Sequence, residues 1–99
     1  MVVKARKTFC VVAYDISDNK RRLKVVKILE KLGVRINYSV FECMLTRTQL
    51  ETLQKEIAPL INKKEDTVAY YPICVKCFSK IIYQPTSRYK KAEKIAVIE

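Results

Sequence analysis

The chain has no histidine, no tryptophan, a single glycine (Gly33) and three prolines. Without histidine, the side chain most used for proton exchange near neutral pH is missing. Any hydrolytic chemistry must then rest largely on carboxylate oxygens. With one glycine there is no glycine-rich phosphate cradle or P-loop, and no Ser/His/Asp set can be built. So little glycine and proline also implies short loops and regular elements. Acidic residues are scarce, 10 against 20 lysines and arginines. No apolar run approaches the ~18 residues that cross a bilayer. Lys4, Arg6 and Lys7 precede only six apolar residues before Asp15, too few for a signal peptide. The expectation is a cytoplasmic protein with no membrane partner.

What is present points to one small domain of 99 residues. A chain of this size buries only ~65% of its unfolded surface, so a further face covered by a partner would help. At 49% hydrophobic residues it is too apolar for disorder. The formal charge of +10 is self-repulsive and favours an anionic polymer. Nucleic acid is the first candidate, an anionic membrane the second and simple solubility the third. Four cysteines in a reducing compartment read as free thiols, with Cys10 and Cys43 as small buried residues in apolar runs.

Residues 8–15 read as a buried strand and 19–32 as a helix, with Ser17 or Asp18 able to cap it. Val25, Ile28, Leu29 and Leu32 share one helix face, and Gly33 stands where a helix end favours a left-handed residue. Residues 34–45 read as two strands with a tight turn near 37–39. Thr46 with Gln49, or Thr48 with Glu51, has capping-box spacing ahead of a second helix carrying Leu50, Leu53, Ile57, Leu60 and Ile61. Pro59 should kink or end it. A polar turn at 63–66 leads to a strand over 67–75, where Pro72 suggests an edge or bulge. Residues 78–83 read as a short further strand, 85–91 as a basic loop and 95–98 as a terminal strand. The order β-α-β-β-α-β is that of an α+β ferredoxin-like sandwich with an extra C-terminal strand. The expected division is a domain over 1–83 and a dimer-stabilising tail over 84–99. Helices on one sheet face leave the other to be covered, which a symmetric homodimer stacking sheet on sheet would do.

Asp15, at a strand end beside a basic helix, is the first candidate for chemistry. Mg²⁺, or another divalent cation, needs only one or two carboxylates plus substrate phosphates, and a two-fold axis could pair two copies of Asp15. The alternative is an N-capping aspartate; Asp18 and Glu42 are possible helpers. At ~100° per residue, Lys20, Lys24, Lys27 and Lys31 fall within about 60° of one another. Such a stripe either tracks phosphates or is a solvated face. Arg22 lies away from those lysines and near Asp15, where it could clamp a phosphate or pair with Asp15 or Asp18. Cys74-Val75-Lys76-Cys77 is a lone CxxC, lacking the second pair a zinc site needs. A thioredoxin-type motif would sit after the first strand, not here, so the pair reads as packing thiols or an incidental pair, less readily as half of a site shared by two protomers. The six tyrosines could stack on bases, but most sit in predicted strands, where packing is the default.

Tyr14-Asp15-Ile16-Ser17-Asp18, Arg21-Arg22 and the run from Gly33 to Glu42 closely resemble the CRISPR-associated protein two family. The resemblance covers nearly the whole chain, more loosely over the last twenty residues. It implies a ferredoxin-like homodimer, the small subunit of the spacer-acquisition machinery, with metal-dependent endonuclease activity on RNA or DNA. It further implies a bridge between copies of a larger integrase subunit, gripping duplex DNA or single-stranded RNA. By position Asp15 matches the family's metal-binding aspartate. Tyr14 and Arg22 join it as catalytic candidates, and Arg35 and Phe41 fall on its nucleic-acid face. Asn37 stands where many relatives carry glutamine, and at Lys24 some have arginine. An enzyme, a non-catalytic binding scaffold and a metal-regulated sensor of this fold are the rival readings; the charge disfavours the sensor.

Overall fold

Lys7–Asp15 forms β1, the strand on which the molecule is built, in a computed structural model that describes residues 6–84. Side chains alternate across a strand. Cys10, Val12 and Tyr14 therefore enter the core beneath the helices, while Phe9, Val11, Ala13 and Asp15 point to the opposite face. Two strands flank β1, both antiparallel: β3 (Val40–Thr46) and β4 (Thr67–Ile73). With β2 (Gly33–Asn37) beyond β3, the sheet runs β2-β3-β1-β4, the order expected of the ferredoxin-like sandwich.

Helix α1 (Asn19–Glu30) joins β1 to β2. Asp18, not Ser17, caps it, its carboxylate accepting the Arg21 N–H at 2.9 Å. Val25, Val26 and Leu29 are buried, and Ile28 and Leu32 pack at the margin. The helix ends two residues before the sequence expectation, and Gly33 is already in β2 rather than a left-handed cap. Its role is close approach. A Cβ there would strike the Glu42 carbonyl oxygen and stand 2.6 Å from Cys43 Sγ.

β2 and β3 form a hairpin whose loop, Tyr38-Ser39, has no glycine. Asn37 compensates, its side-chain oxygen accepting the Ser39 N–H at 3.0 Å. The register slips by one residue at Ile36, a bulge that sharpens the local twist. Helix α2 (Arg47–Ile57) opens on Thr46 and Gln49, with both capping-box hydrogen bonds formed at 3.1 and 2.8 Å. It closes where Pro59 imposes a 3₁₀ turn, Ala58–Leu60. Leu53 and Ile57 are buried in the same core as Val25 and Leu29 of α1.

β4 is an edge strand, which is why Pro72 is tolerated in it. It stops at Ile73, not at residue 75. Cys74 caps a one-turn helix, α3 (Val75–Phe78), which replaces the start of the strand expected over 78–83. Phe78 is the reason: the turn lays its ring against Phe9, centroids 4.7 Å apart, on the face without the long helices. Residues 79–83 form no strand, and Tyr83 donates its hydroxyl to Glu42 Oε2 at 2.7 Å. The expected basic loop and terminal strand lie outside the described residues. No helix among the described residues is long and apolar enough to cross a membrane.

Candidate nucleic-acid and metal site

The loop leaving β1 is fixed first. Asp66, its side chain wholly buried, accepts Arg21 Nε at 2.8 Å and the Ser17 and Asn62 N–H groups at 3.3 and 2.8 Å. Arg21 adds Glu65 at 3.1 Å. The guanidinium beside it, and the two backbone donors, hold the Asp66 carboxyl down at about 2. This clamp ties the loop after β1 to the loop before β4. Nothing in the sequence spacing links residues 45 positions apart, so this clamp is visible only in the tertiary structure.

Arg22 is thereby turned the other way. Its NH1 donates to the Ile16 carbonyl at 2.9 Å and its NH2 to Asn19 Oδ1 at 2.7 Å. The ion pair with Asp15 or Asp18 that the sequence allowed is not formed. Asp18 is committed as the helix cap, so it is not a helper at Asp15. Arg22 also lies over the Tyr38 ring at 5.5 Å, and Arg35 lies over the same ring at 5.6 Å. Two cations on one aromatic ring hold it in place. The Tyr38 carbonyl accepts both the Tyr14 hydroxyl at 2.7 Å and Arg35 NH2 at 2.8 Å.

The result is an open cleft of about 220 Å³ lined by Tyr14, Asp15, Ile16, Arg22, Tyr38 and Ser39. Asp15 is exposed, and its carboxylate makes no hydrogen bond or ion pair among the described residues. It is therefore not a capping aspartate. Tyr14 is buried at the cleft wall, where its hydroxyl fixes the Tyr38 backbone. Glu42 is not a helper either. It pairs with Val11, four residues before Asp15 along β1 and so about 13 Å away.

Phe41 corrects the expectation most clearly. Its ring is 0% exposed, packed at the centre of the core, and cannot reach a nucleic acid. Tyr38, in the turn of the same hairpin, is 66% exposed and lines the cleft. The default of tyrosines as packing residues holds for Tyr14 and fails for Tyr38. Loop position was the signal available: a tyrosine in a two-residue turn has no core to enter. Lys20, Lys24, Lys27 and Lys31 are all exposed along α1, and none forms an ion pair among the described residues. Among those residues no three His, Cys, Asp or Glu side chains gather as metal ligands.

The family model for CRISPR associated protein Cas2 matches residues 8–81. A protein of Rhodospirillum rubrum named CRISPR-associated endoribonuclease Cas2 4 is 43% identical over 68% of this chain, which spans about half of that relative's length (54%). A solved structure of a hypothetical protein, TT1823 of Thermus thermophilus, superposes with a TM-score of 0.67. Its identity is 38%, over 69% of this chain and 83% of that one. A chain of a partial Cas6-RT-Cas1–Cas2 complex gives a TM-score of 0.61 at 25% identity, over 77% and 89% of the two chains. With three quarters of its length matched by the family model, the chain belongs to the CRISPR associated protein Cas2 family.

Proposed function

We propose that this chain is a divalent-metal-dependent endonuclease of CRISPR adaptation, hydrolysing phosphodiester bonds in RNA or DNA as a homodimer. The observation that carries it is the cleft itself: a free carboxylate, Asp15, in one cleft with Arg22 and Tyr38, the Tyr38 ring also holding Arg35, in a chain of charge +10. The relative's name, an endoribonuclease, supports the activity. The donor set fits magnesium. It offers a hard oxygen ligand and no histidine, and Mg²⁺ keeps most of its waters. One protomer contributes one carboxylate, so a second Asp15 across a two-fold axis completes the pair. Such an ion, when bound, polarises the scissile phosphate and lowers the pKa of water.

The remaining roles belong to the chain's own groups. Arg22, oriented by Ile16 and Asn19, holds a phosphate oxygen near Asp15. Arg35 neutralises the adjacent phosphate, and Tyr38 offers a ring on which a base stacks. The part of this sheet face bearing Val11, Ala13 and Tyr71, the last 54% exposed and beyond the patch where Phe78 lies on Phe9, is the one a second protomer would cover.

A second reading has its own observation. The lysine stripe on α1 is uncommitted and needs no metal, as expected of a scaffold that grips duplex DNA and bridges larger integrase subunits. The name of the Cas1–Cas2 complex supports that partner. Asp15→Asn separates the two. Loss of Mg²⁺-dependent cleavage supports the enzyme. Cleavage at the unaltered rate refutes it, and retained duplex binding and spacer acquisition in the same variant establish the scaffold.

A further inference from the structure

Neither reading uses Cys74 and Cys77. Both thiols are exposed, unlike Cys10 and Cys43, which lie in the core. They stand one helical turn apart, Cys74 preceding α3 and Cys77 within it, and the Cys77 N–H donates to Cys74 Sγ at 3.4 Å. Residues so placed have their Cα atoms within the roughly 4.4–6.8 Å that a disulfide spans. Beside them lies a groove of about 380 Å³ whose lining includes Arg6, Lys7, Phe9, Met44, Cys74 and Phe78. Two cations in the lining of a partly apolar groove suit a ligand that carries carboxylates.

We propose that Cys74 and Cys77 form a thiol–disulfide exchange site for small carboxylate-bearing disulfides of the glutathione type. The Cys74 thiolate attacks one sulfur of the disulfide RSSR, forming a Cys74–S–S–R bond and releasing RS⁻. Cys77 then loses its proton to solvent and attacks Cys74 Sγ, forming the Cys74–Cys77 bond and releasing the second RS⁻. The protein dithiol is oxidised by two electrons, and one RSSR is reduced to two RSH. The hydrogen bonds from Cys77 lower the Cys74 pKa and the same pairing raises that of Cys77. That divides them into attacking and resolving thiols. Burial pushes Cys43 up to about 12, which leaves it inert as an internal reference.

The test treats the full chain with glutathione disulfide and locates the products by peptide mass analysis. The wild type should form the Cys74–Cys77 disulfide, reversed by dithiothreitol. Cys77→Ser should instead accumulate glutathione on Cys74, and Cys74→Ser should acquire severalfold less on Cys77. Replacing Arg6 and Lys7 by alanine should slow the reaction with glutathione disulfide and not with the uncharged 2-hydroxyethyl disulfide. Equal modification of the two single variants, or no internal disulfide under excess oxidant, would overturn the assignment. So would zinc retained by the purified chain with both thiols protected, which would make the pair part of a metal site.

Discussion

Replacing Lys24 and Lys27 together by glutamine tests the cationic face of α1. Both side chains are exposed and make no ion pair among the described residues. Glutamine has nearly the helix propensity of lysine, so the change in stability should stay within about 0.5 kcal/mol. From Lys20 to Lys31 the stripe runs about 16 Å at the α-helical rise, long enough to follow several phosphates of one strand. Each phosphate neutralised on B-DNA contributes about 0.9 to the slope of log affinity against log salt, so losing two contacts flattens it by about 2. Between about 50 and 200 mM salt, wild-type affinity should fall roughly 12-fold further than that of the variant. Fluorescence anisotropy on a labelled duplex over that range, with Lys24→Arg/Lys27→Arg as the charge-conserving control, gives both slopes. Superimposable slopes for the glutamine variant and the wild type would remove α1 from the footprint.

Three further outcomes follow from single contacts. Gly33→Ala should lose about 1–3 kcal/mol or more in urea unfolding, because the new methyl group meets the backbone of β3, which cannot step aside; unchanged stability would mean that the two strands separate easily. The Asp66 carboxyl is lowered from 3.8 to about 2 on folding. Its contribution is therefore complete above pH ~4 and disappears as pH falls towards 2. The urea midpoint should drop across that window, and Asp66→Asn should remove this part of the dependence; an identical acid profile in the variant would exclude the clamp as its source. Tyr38→Ala should weaken single-stranded RNA or DNA binding by about 1–3 kcal/mol, the worth of one base stacked on an aromatic ring. The melting temperature should barely move, since the carbonyl that anchors Tyr14 and Arg35 remains, and unaltered affinity would show that no base stacks there.

The elements themselves were readable because their signals are local. Val25 and Leu29 at helical spacing, Thr46 with Gln49 as a capping box, Pro59 as a terminator and the apolar run before Asp15 each involve residues within a few positions of one another. Their order was enough for the ferredoxin-like sheet. Asp15 at a strand end was likewise a local reading, and the structure leaves its carboxylate free in an open cleft.

Contacts between distant segments decided the rest. Arg21 and Arg22 are adjacent and chemically identical, yet about 100° of helix rotation sends one to the buried Asp66 and the other to Tyr38. Periodicity shows which residues share a face but not what covers that face. The family resemblance placed Phe41 on the nucleic-acid face when it fills the core, and the packing default for tyrosines missed Tyr38, which stands in solvent. Residues 78–83 had the composition of a strand, but Phe78 gains more by meeting Phe9 than by extending an edge, and the chain turns into α3. Local chemistry thus set the elements and the carboxylate of this protein. Which side chains surround that carboxylate depended on energies of burial and pairing that exist only once the sheet has assembled.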